Sequence, residues 1–377
     1  MTTESPLRVV VVGAGIGGLA TAVALRGIGA QVQVHEQARA LTRMGAGLQL
    51  APNATGPLRG LGLAERVAAI ACRPESWCSV DAADAVPSLR VPLGDEVEHE
   101  FGAPYLHVHR GDLHEVLLDA VGNVHLGHRA VGVEQTENDV TVRFAGGDAV
   151  TADVVIGADG IHSQIRESLF GRTNPRFSGL VAYRGIVPRD RVPDVPPVSA
   201  KWWGEDRHLV HYWVSGGREL NFVAPVPDET WTEESWTAEG RVTDLLDALS
   251  GFAEPARRVV AAASSLMRTA LYDRDPLQAW GEGRVALRGD ACHPMLPFMA
   301  QGAGMAVEDA VLLARCLDGA SRAEVGPALR RYAEVRRPRT SAVQGGSRGN
   351  EFLRGSASGP NSDEIYGYDA WQVPLPA

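Results

Sequence analysis

The chain has 377 residues, with 36 basic and 46 acidic side chains and a formal net charge of −10. This acidic balance argues against a nucleic-acid or anionic-membrane partner, and no apolar run reaches the ~20 residues that cross a bilayer. The 45% apolar content is typical of a globular protein long enough for two domains. The four cysteines form no CxxC pair, so we expect a cytoplasmic protein.

The first predicted elements form a βαβ unit. A β-branched apolar run at 7–12 predicts a strand buried on both faces, residues 19–26 predict a helix, and residues 31–36 predict a second strand. This order is typical of dinucleotide-binding folds.

A GxGxxG sequence at 13–18 connects the first strand to the helix. Gly13 would permit the tight turn, Gly15 the close approach of a pyrophosphate, and Gly18 the packing of helix against strand. Glu36 ends the second strand, where its carboxylate can accept ribose hydroxyls. The alternative is a glycine-rich turn in an unrelated α/β protein.

Further elements follow in chain order. Helices are predicted at 53–60 and 112–121, and strands at 105–108, 130–134, 141–144 and 150–156. Tryptophans, prolines and short alternating runs at 175–268 predict a largely antiparallel sheet with helices. A strand at 284–287, a helix at 302–317 and a helix at 323–336 that ends before Pro338 complete the chain, followed by a polar tail after residue 355.

Two more segments of the chain place a carboxylate at the end of a predicted strand. Residues 153–160 run from a strand into Asp159 and Gly160, and residues 289–294 run from a strand into Asp290. Asp290 could bond a ribityl hydroxyl, and the glycines at 302–304 open a helix whose positive end could face a flavin. Taken singly, each sequence could be an ordinary turn and helix cap.

Together the three signatures resemble those of the single-component FAD-dependent aromatic hydroxylases, the group that contains 4-hydroxybenzoate and salicylate hydroxylases. The resemblance implies an α/β fold with a Rossmann-like, interleaved GR2-type FAD-binding domain, an inserted mainly antiparallel substrate domain and a C-terminal helical segment. It assigns 1–75, 101–174 and 275–322 to the FAD-binding domain, 76–100 and 175–274 to the substrate domain, and 323–377 to the C-terminal helix and tail.

Shorter motifs refine the resemblance. Those at 92–94, 109–114, 201–203, 205–208 and 366–369 are similar to 6-hydroxynicotinate 3-monooxygenases, and the segment 45–50 is similar to 3-hydroxybenzoate 6-hydroxylases. The chain departs from the hydroxynicotinate enzymes at Gln49 and Phe298, where histidines are expected, and at Ser199, where a cysteine is expected. These departures favour a hydroxylated or aminated benzoate over hydroxynicotinate.

Carried onto matching positions, the resemblance implies two sets of site residues. The residues expected to bind FAD are Gly13, Gly15, Gly18, Glu36, Gln37, Gly47, Arg110, Ala130, Asp159, Asp290, Pro294, Gly302 and Ala303. Those expected to bind substrate are Gln49, His208, Tyr212, Pro297 and Phe298, and no metal is expected. Ser163 and Arg166 flank the expected groove for NADH or NADPH, between which the sequence does not choose.

Three residues are predicted to be catalytic. Because strand side chains alternate, His208 and Tyr212 share a face while His211 points away. Tyr212 and His208 would relay or accept the proton of a phenolic substrate, and Gln49 would bind a polar ring substituent. The alternative for Tyr212 is a packed core residue.

Two arginines, Arg43 and Arg184, are candidates to pair with a substrate carboxylate, with structural ion pairs as the alternative. Trp202 and Trp203 could stack on an aromatic substrate, with at least one of them in the core.

The implied activity is the hydroxylation of a small electron-rich aromatic acid (a hydroxybenzoate, aminohydroxybenzoate, salicylate or hydroxypyridine carboxylate) with NAD(P)H and O₂, through a flavin C4a-hydroperoxide. A flavin halogenase is disfavoured because its WxWxIP segment is absent. Two alternatives stay open: an FAD oxidase or dehydrogenase, which would not consume NAD(P)H, and a non-enzymatic flavin-binding module. A homodimer is compatible with the family.

Overall fold

The computed structural model describes residues 5–43, 45–228, 238–350 and 362–376. Within them the helices are α1 (Ile16–Gly27), α2 (Pro52–Gly60), α3 (Ala64–Ile70), α4 (Asp95–Phe101), α5 (Arg110–Val121), α6 (Gln164–Phe170), α7 (Val242–Ala248), α8 (Glu254–Ala261), α9 (Gly302–Leu317), α10 (Val325–Gly349) and α11 (Ser362–Tyr366). The strands are β1 (Arg8–Val12), β2 (Gln31–Glu36), β3 (Gly47–Leu50), β4 (Ser76–Asp81), β5 (Pro87–Pro92), β6 (Leu106–His109), β7 (His125–Leu126), β8 (Ala130–Gln135), β9 (Val140–Phe144), β10 (Ala149–Ala152), β11 (Val154–Gly157), β12 (Arg176–Pro188), β13 (Ser199–Trp203), β14 (His208–Val214), β15 (Glu219–Pro227), β16 (Ala238–Gly240), β17 (Leu266–Asp273), β18 (Gly281–Glu282) and β19 (Val285–Leu287). The start of the polar tail lies outside the described residues.

A six-stranded sheet forms the first half of the molecule, in the order β18-β19-β11-β1-β2-β7. Its strands are parallel except at the β18–β19 edge. Strands β1 and β11 are apolar along their length because helices cover both faces of a parallel sheet. The predicted βαβ unit and the α/β class are therefore confirmed, with the helix starting earlier than expected, at Ile16.

The predicted strand at 150–156 was wrong as a single element. Strand β10 pairs with β9 in a separate antiparallel sheet, whereas β11 joins the parallel sheet. The break lies at Asp153, which is 1% exposed and accepts hydrogen bonds from the backbone and guanidinium of Arg8 at 2.8 Å. Burial would raise the pKa of Asp153, but the bonds from Arg8 and Arg322 hold it at about 2. This ion cluster fixes the chain where it passes between the two sheets.

An eight-stranded sheet forms the second half, in the order β16-β17-β12-β15-β14-β13-β4-β5. All neighbouring pairs are antiparallel except β13 and β4, which confirms the mainly antiparallel character. Its strands fall within 76–100 and 175–274, while the division of the chain into domains stays a prediction.

The two faces of this sheet have different roles. On the outer face Leu209 and Trp213 of β14 pack with α7 and α8 in one apolar cluster. On the inner face Val210 and Tyr212 of the same strand pack with Tyr105. Because side chains along β14 point alternately to the two faces, one set packs under the helices and the other set faces the other half of the molecule.

Helix α9 has the predicted bounds, but the predicted end of the last long helix was wrong. Helix α10 continues through Pro338 to Gly349. Proline removes one helical hydrogen bond, which usually ends a helix. Here the following turns are held by other bonds. Within the helix, Thr340 Oγ1 donates to the carbonyl of Arg336, and in a tertiary contact Gln344 Nε2 donates to the carbonyl of Pro294 at 2.8 Å.

None of the helices in the described ranges combines the length and the apolar content that a bilayer-spanning helix requires.

Candidate flavin and substrate site

The glycine-rich turn between β1 and α1 has the geometry that its three glycines predict. Gly13 has φ +107°, and a Cβ there would lie 2.3 Å from the carbonyl oxygen of Ala158. A Cβ on Gly18 would lie 1.9 Å from the carbonyl oxygen of Gly13, whereas one on Gly15 would meet nothing within 4 Å. Gly13 and Gly18 thus serve packing, and Gly15 keeps open the space in which a phosphate could approach the backbone.

Glu36 is fixed at the rim of this turn. Its Oε2 accepts from the backbone N–H of Ala14 and its Oε1 from that of Ala38, both at 2.8 Å. Each oxygen keeps a lone pair for a further donor such as a ribose hydroxyl. Gln37 follows on the exposed surface.

A cleft continues from the turn toward the start of α9. Arg110 and Asp290 lie there, and enclosure by the surrounding protein raises the pKa of Asp290 although the charges of His293 and Arg110 act in the opposite direction. Gly302 and Ala303 are half-buried at the N-terminus of α9, whose free N–H groups favour negative charge. The other predicted contacts, Ala130 and Pro294, are buried nearby in the same half of the molecule.

The carboxylate of Asp159, like that of Glu36, accepts hydrogen bonds from within the chain. It accepts from Ser163 Oγ at 2.5 Å and from the backbone N–H of Gln164 at 2.8 Å, at the start of α6. This residue therefore shapes the turn.

Arg166 lies beside that turn with unused hydrogen-bonding capacity. Its Nη2 donates to the carbonyl of Ile161, but Nε and Nη1 are buried without a partner in the part of the chain that the structure describes. Arg274 donates to the same carbonyl at 3.0 Å, and burial together with the charge of Arg166 lowers the pKa of Arg274 to about 10. The two arginines form a cationic pair suited to an anionic ligand.

Buried polar side chains form the substrate half of the site around Gln49 on β3. Tyr105 donates its hydroxyl to Gln49 Oε1 at 2.7 Å, and Gln49 Nε2 lies 3.5 Å from Ser199 Oγ. Gln49 also acts on the hydroxyl of Tyr212 and lowers its pKa, against the larger opposite effect of burial. Two of the three predicted catalytic residues are thus in contact, and Tyr105 is a member of the network that sequence reasoning missed.

Gly47 makes this arrangement sterically feasible. A Cβ there would lie 2.6 Å from the ring of Tyr212 and 2.8 Å from Cγ of Asn221. Its backbone N–H donates to Asn221 Oδ1 at 2.7 Å. Gly47, predicted to contact the cofactor, therefore also lies directly against the substrate half.

His208 belongs to a second cluster on the same face of β14. Its ring packs edge-on against Phe298, with centroids 5.5 Å apart, and its Nδ1 lies 3.3 Å from Nδ2 of Asn350. Asn350 also accepts from Lys201 Nζ at 2.9 Å. Lys201, the sole lysine of the sequence, was not predicted as a site residue. Asn350 was not predicted either, because its role depends on where α10 ends.

His107 on β6, which was not predicted as a site residue, lines the network. Its ring centroid lies 4.5 Å from that of Tyr212. Burial lowers the pKa of His107 to about 3, and its Nε2 has no hydrogen-bond partner in the described chain. His107 is therefore a neutral imidazole packed on the predicted catalytic tyrosine.

Other candidates lie away from the network. Arg43 pairs with Asp112 at 2.6 Å and with Glu219 at 2.7 Å, so its alternative as a structural ion pair is confirmed. His211 faces outward against Trp202, with centroids 6.3 Å apart. Pro297 is exposed next to the buried Phe298.

The residues of the first half fit an FAD molecule. A phosphate has room at Gly15, and a ribose hydroxyl has an acceptor in Glu36. Arg110 and Asp290 supply polar contacts for a ribityl chain. A family model described as an FAD binding domain matches residues 6–346.

The chain belongs to this FAD-binding family. The 6-hydroxynicotinate 3-monooxygenase of Bordetella bronchiseptica is 37% identical over 374 residues, which cover 98% of this chain and 97% of that protein. The 3-amino-4-hydroxybenzoate 2-monooxygenase of Streptomyces cremeus is 42% identical over 347 residues, which cover 90% and 86%.

A solved salicylate hydroxylase substrate complex has the same fold, with a TM-score of 0.83, 29% identity and coverage of 98% of this chain and 97% of that one. The protein is an FAD-dependent aromatic hydroxylase, and the resemblance inferred from its motifs is confirmed. Its Rossmann-like fold with an added antiparallel sheet is confirmed as well.

Replacing Gly15 with alanine is expected to weaken FAD binding about tenfold or more, because the new methyl group occupies the space that a pyrophosphate needs. The hydroxylase should fold normally, since that Cβ meets no protein atom within 4 Å. FAD affinity is measured by fluorescence titration of the apoprotein, and folding by thermal unfolding. Gly27→Ala, whose Cβ is also unobstructed, is the matched control on the same helix. Equal FAD affinity in the two variants would contradict this role for Gly15.

Proposed function

We propose that the hydroxylase acts on a small electron-rich aromatic acid, a hydroxy- or aminohydroxybenzoate, with NADH or NADPH and O₂ as co-substrates. The observation that carries this proposal is the buried network of Tyr212, Gln49 and Tyr105 beside the apolar residues of the inner sheet face. Such a pocket offers hydrogen-bonding groups to a ring hydroxyl and an apolar surface to the ring.

Tyr212 would act as a proton relay. Burial raises its pKa above the ordinary value, although Arg184 and Gln49 act in the opposite direction, so the side chain stays a neutral phenol. A neutral hydroxyl can accept the proton of the substrate hydroxyl while it gives its own proton to a water molecule, so that solvent is the final acceptor and Tyr212 ends the step neutral. Removing the phenolic proton makes the ring more electron-rich and so more reactive toward an electrophilic oxygen.

Gln49 and Ser199 support a benzoate rather than a pyridine substrate. Gln49 offers an amide and Ser199 a hydroxyl, where the hydroxynicotinate enzymes are expected to have histidine and cysteine. Neutral amide and hydroxyl groups can both donate to and accept from a ring hydroxyl or amine. His208 would complete the pocket next to Phe298.

FAD, when bound by the residues of the first half, supplies the activated oxygen that is transferred to the ring. The chain's own contribution is to orient the ring, to hold its hydroxyl at Tyr212 and to exclude bulk water from the reacting carbon. The buried aromatic residues Trp77, Tyr105 and Tyr366 around Tyr212 support the exclusion of water.

The cationic pair of Arg166 and Arg274 supports docking of the pyridine nucleotide at the start of α6, where Ser163 also lies. Two buried nitrogens of Arg166, Nε and Nη1, lack partners in the described chain, and their N–H groups could bond a phosphate. The proposal also places the enzyme in the cytoplasm, because all four cysteines are free thiols.

The first test is to follow NADH and NADPH oxidation by the FAD-loaded enzyme with hydroxybenzoates, aminohydroxybenzoates, salicylate and 6-hydroxynicotinate, with product masses. Stimulation by one benzoate with a gain of one oxygen is the expected result. A gain of oxygen with loss of CO₂ would indicate decarboxylative hydroxylation. If no aromatic acid stimulates oxidation while FAD stays bound, the acid substrate is wrong. Oxidation of a substrate without NAD(P)H would instead indicate an oxidase.

A further inference from the structure

One row of side chains crosses the inner face of the eight-stranded sheet. Arg184 on β12 is paired with Val223 on β15, Val223 with Val210 on β14, and Val210 with Lys201 on β13. Residues directly opposite on neighbouring strands point to the same side, so two valines lie between two cations. With strands spaced about 4.8 Å apart, the Cα atoms of the cations are about 14 Å apart.

The two ends of this row differ in access. Lys201 is 1% exposed, bonds Asn350, and lies with Nζ 3.7 Å from the centre of the Trp203 ring. Arg184 and Val223 are partly exposed although their strands are central in a covered sheet. Arg184 and Val223 therefore keep accessible surface, whereas Lys201 at the opposite end of the row is closed off.

Among the described residues, Arg184 has no acidic partner. Its one hydrogen bond runs from Nε to Thr269 Oγ1 at 3.4 Å, and the charged or titratable groups that act on it are Tyr212 and Arg110. Nη1 and Nη2 thus lack a hydrogen-bond partner among the described residues. A guanidinium desolvated without a counter-ion is costly, and a carboxylate with two parallel hydrogen bonds would relieve that cost.

We propose that Arg184 binds the carboxylate of the substrate and thereby selects aromatic acids over neutral phenols. With the carboxylate on Nη1 and Nη2, the ring lies over Val223, between Arg184 and Tyr212. This assignment deepens the proposed function, on which it rests, by giving the acid group a specific partner. It also distinguishes between the two arginines predicted as partners of a substrate carboxylate, since Arg43 is already paired with Asp112 and Glu219.

The test compares ligand pairs that differ only in the carboxylate: 3-amino-4-hydroxybenzoate against 2-aminophenol, and 3-hydroxybenzoate against phenol. Dissociation constants are measured from the absorbance change of the FAD-loaded enzyme, and KM and kcat where turnover occurs. The variants are Arg184→Met and Arg184→Lys. Arg90→Met, which removes an exposed arginine from strand β5 of the same sheet, is the control.

The unaltered enzyme is expected to bind each acid more tightly than its neutral partner. Arg184→Met should weaken acid binding about tenfold or more and leave neutral binding unchanged, because a charge-assisted bidentate contact is lost. Arg184→Lys should keep part of the preference for acids that Arg184→Met loses. Arg90→Met should keep the full preference of the unaltered enzyme. Thermal unfolding shows whether each variant is folded.

Three results would overturn the assignment. The first is an unaltered enzyme that binds acids no more tightly than phenols, and the second is an Arg184→Met variant that keeps the acid preference. The third is an Arg184→Met variant that loses affinity equally for acid and phenol and has a shifted flavin reduction potential, which would place Arg184 on the flavin. Failure of the proposed function is distinguishable, since binding is measured without turnover. Arg184-dependent acid binding without hydroxylation would uphold this inference and reject the proposed reaction.

Discussion

Replacing Tyr212 with phenylalanine is expected to lower kcat for hydroxylation about 100-fold, within the range of a lost proton-transfer group. The change removes one oxygen atom and leaves the ring that packs against His107 and Gly47. Gln49 keeps its bond from Tyr105, so the rest of the network should persist. The measurement is product formed per NAD(P)H oxidised, in steady state with the best substrate of the panel.

The pH dependence separates a relay from simple packing. Without the relay, the phenolic proton must leave directly to solvent, so the rate of Tyr212→Phe should rise with pH toward the pKa of the substrate. The unaltered enzyme should depend less on pH in that range. Tyr332→Phe is the matched control, since it removes a buried hydroxyl with no partner in the described chain. Full activity in Tyr212→Phe, or a parallel pH profile, would reject the relay.

Replacing Arg336 with methionine is expected to destabilise the enzyme by about 3–5 kcal/mol, the cost of leaving buried charges without their partner. Arg336 is 0% exposed, and its Nη1 and Nε donate to Glu308 at 2.6 Å and to Asp309 at 2.8 Å. Both carboxylates are fully buried in α9. Burial would lower the pKa of Arg336, but Glu308 and Asp309 outweigh it and raise that pKa above its ordinary value.

The free energy of unfolding is measured by urea titration at a fixed excess of FAD. Arg330→Met removes an exposed arginine from the same helix and should cost far less, as surface substitutions generally do. A loss below about 1 kcal/mol for Arg336→Met would mean that the partners which remain, His293 at 2.7 Å from Asp309 and Arg339 at 2.8 Å from Glu308, are sufficient for the two carboxylates.

The cofactor half of the site could be predicted from sequence because its groups lie at strand-to-helix turns. A buried strand, a glycine turn and a helix place Gly15 by local geometry alone. Glu36 and Asp290 follow strands in the same way, and the carboxyl ends of parallel strands meet at one edge of the sheet. The departures at Gln49 and Ser199 were also visible, and both residues lie in the network.

The sequence by itself determined the α/β architecture, the FAD-binding family and the alternation that turns Tyr212 and His208 inward, since each follows from local periodicity or a contiguous motif. Only the tertiary structure decided that His107 packs on Tyr212 and that Asn350 reaches His208 and Lys201. It also decided that Arg184 meets no acidic side chain in the part of the chain that the structure describes. These contacts join residues more than 70 positions apart, and their register depends on how the strands pair and where α10 ends. Pro338 shows the same limit, because buried contacts on both sides hold a helix that local propensity would end.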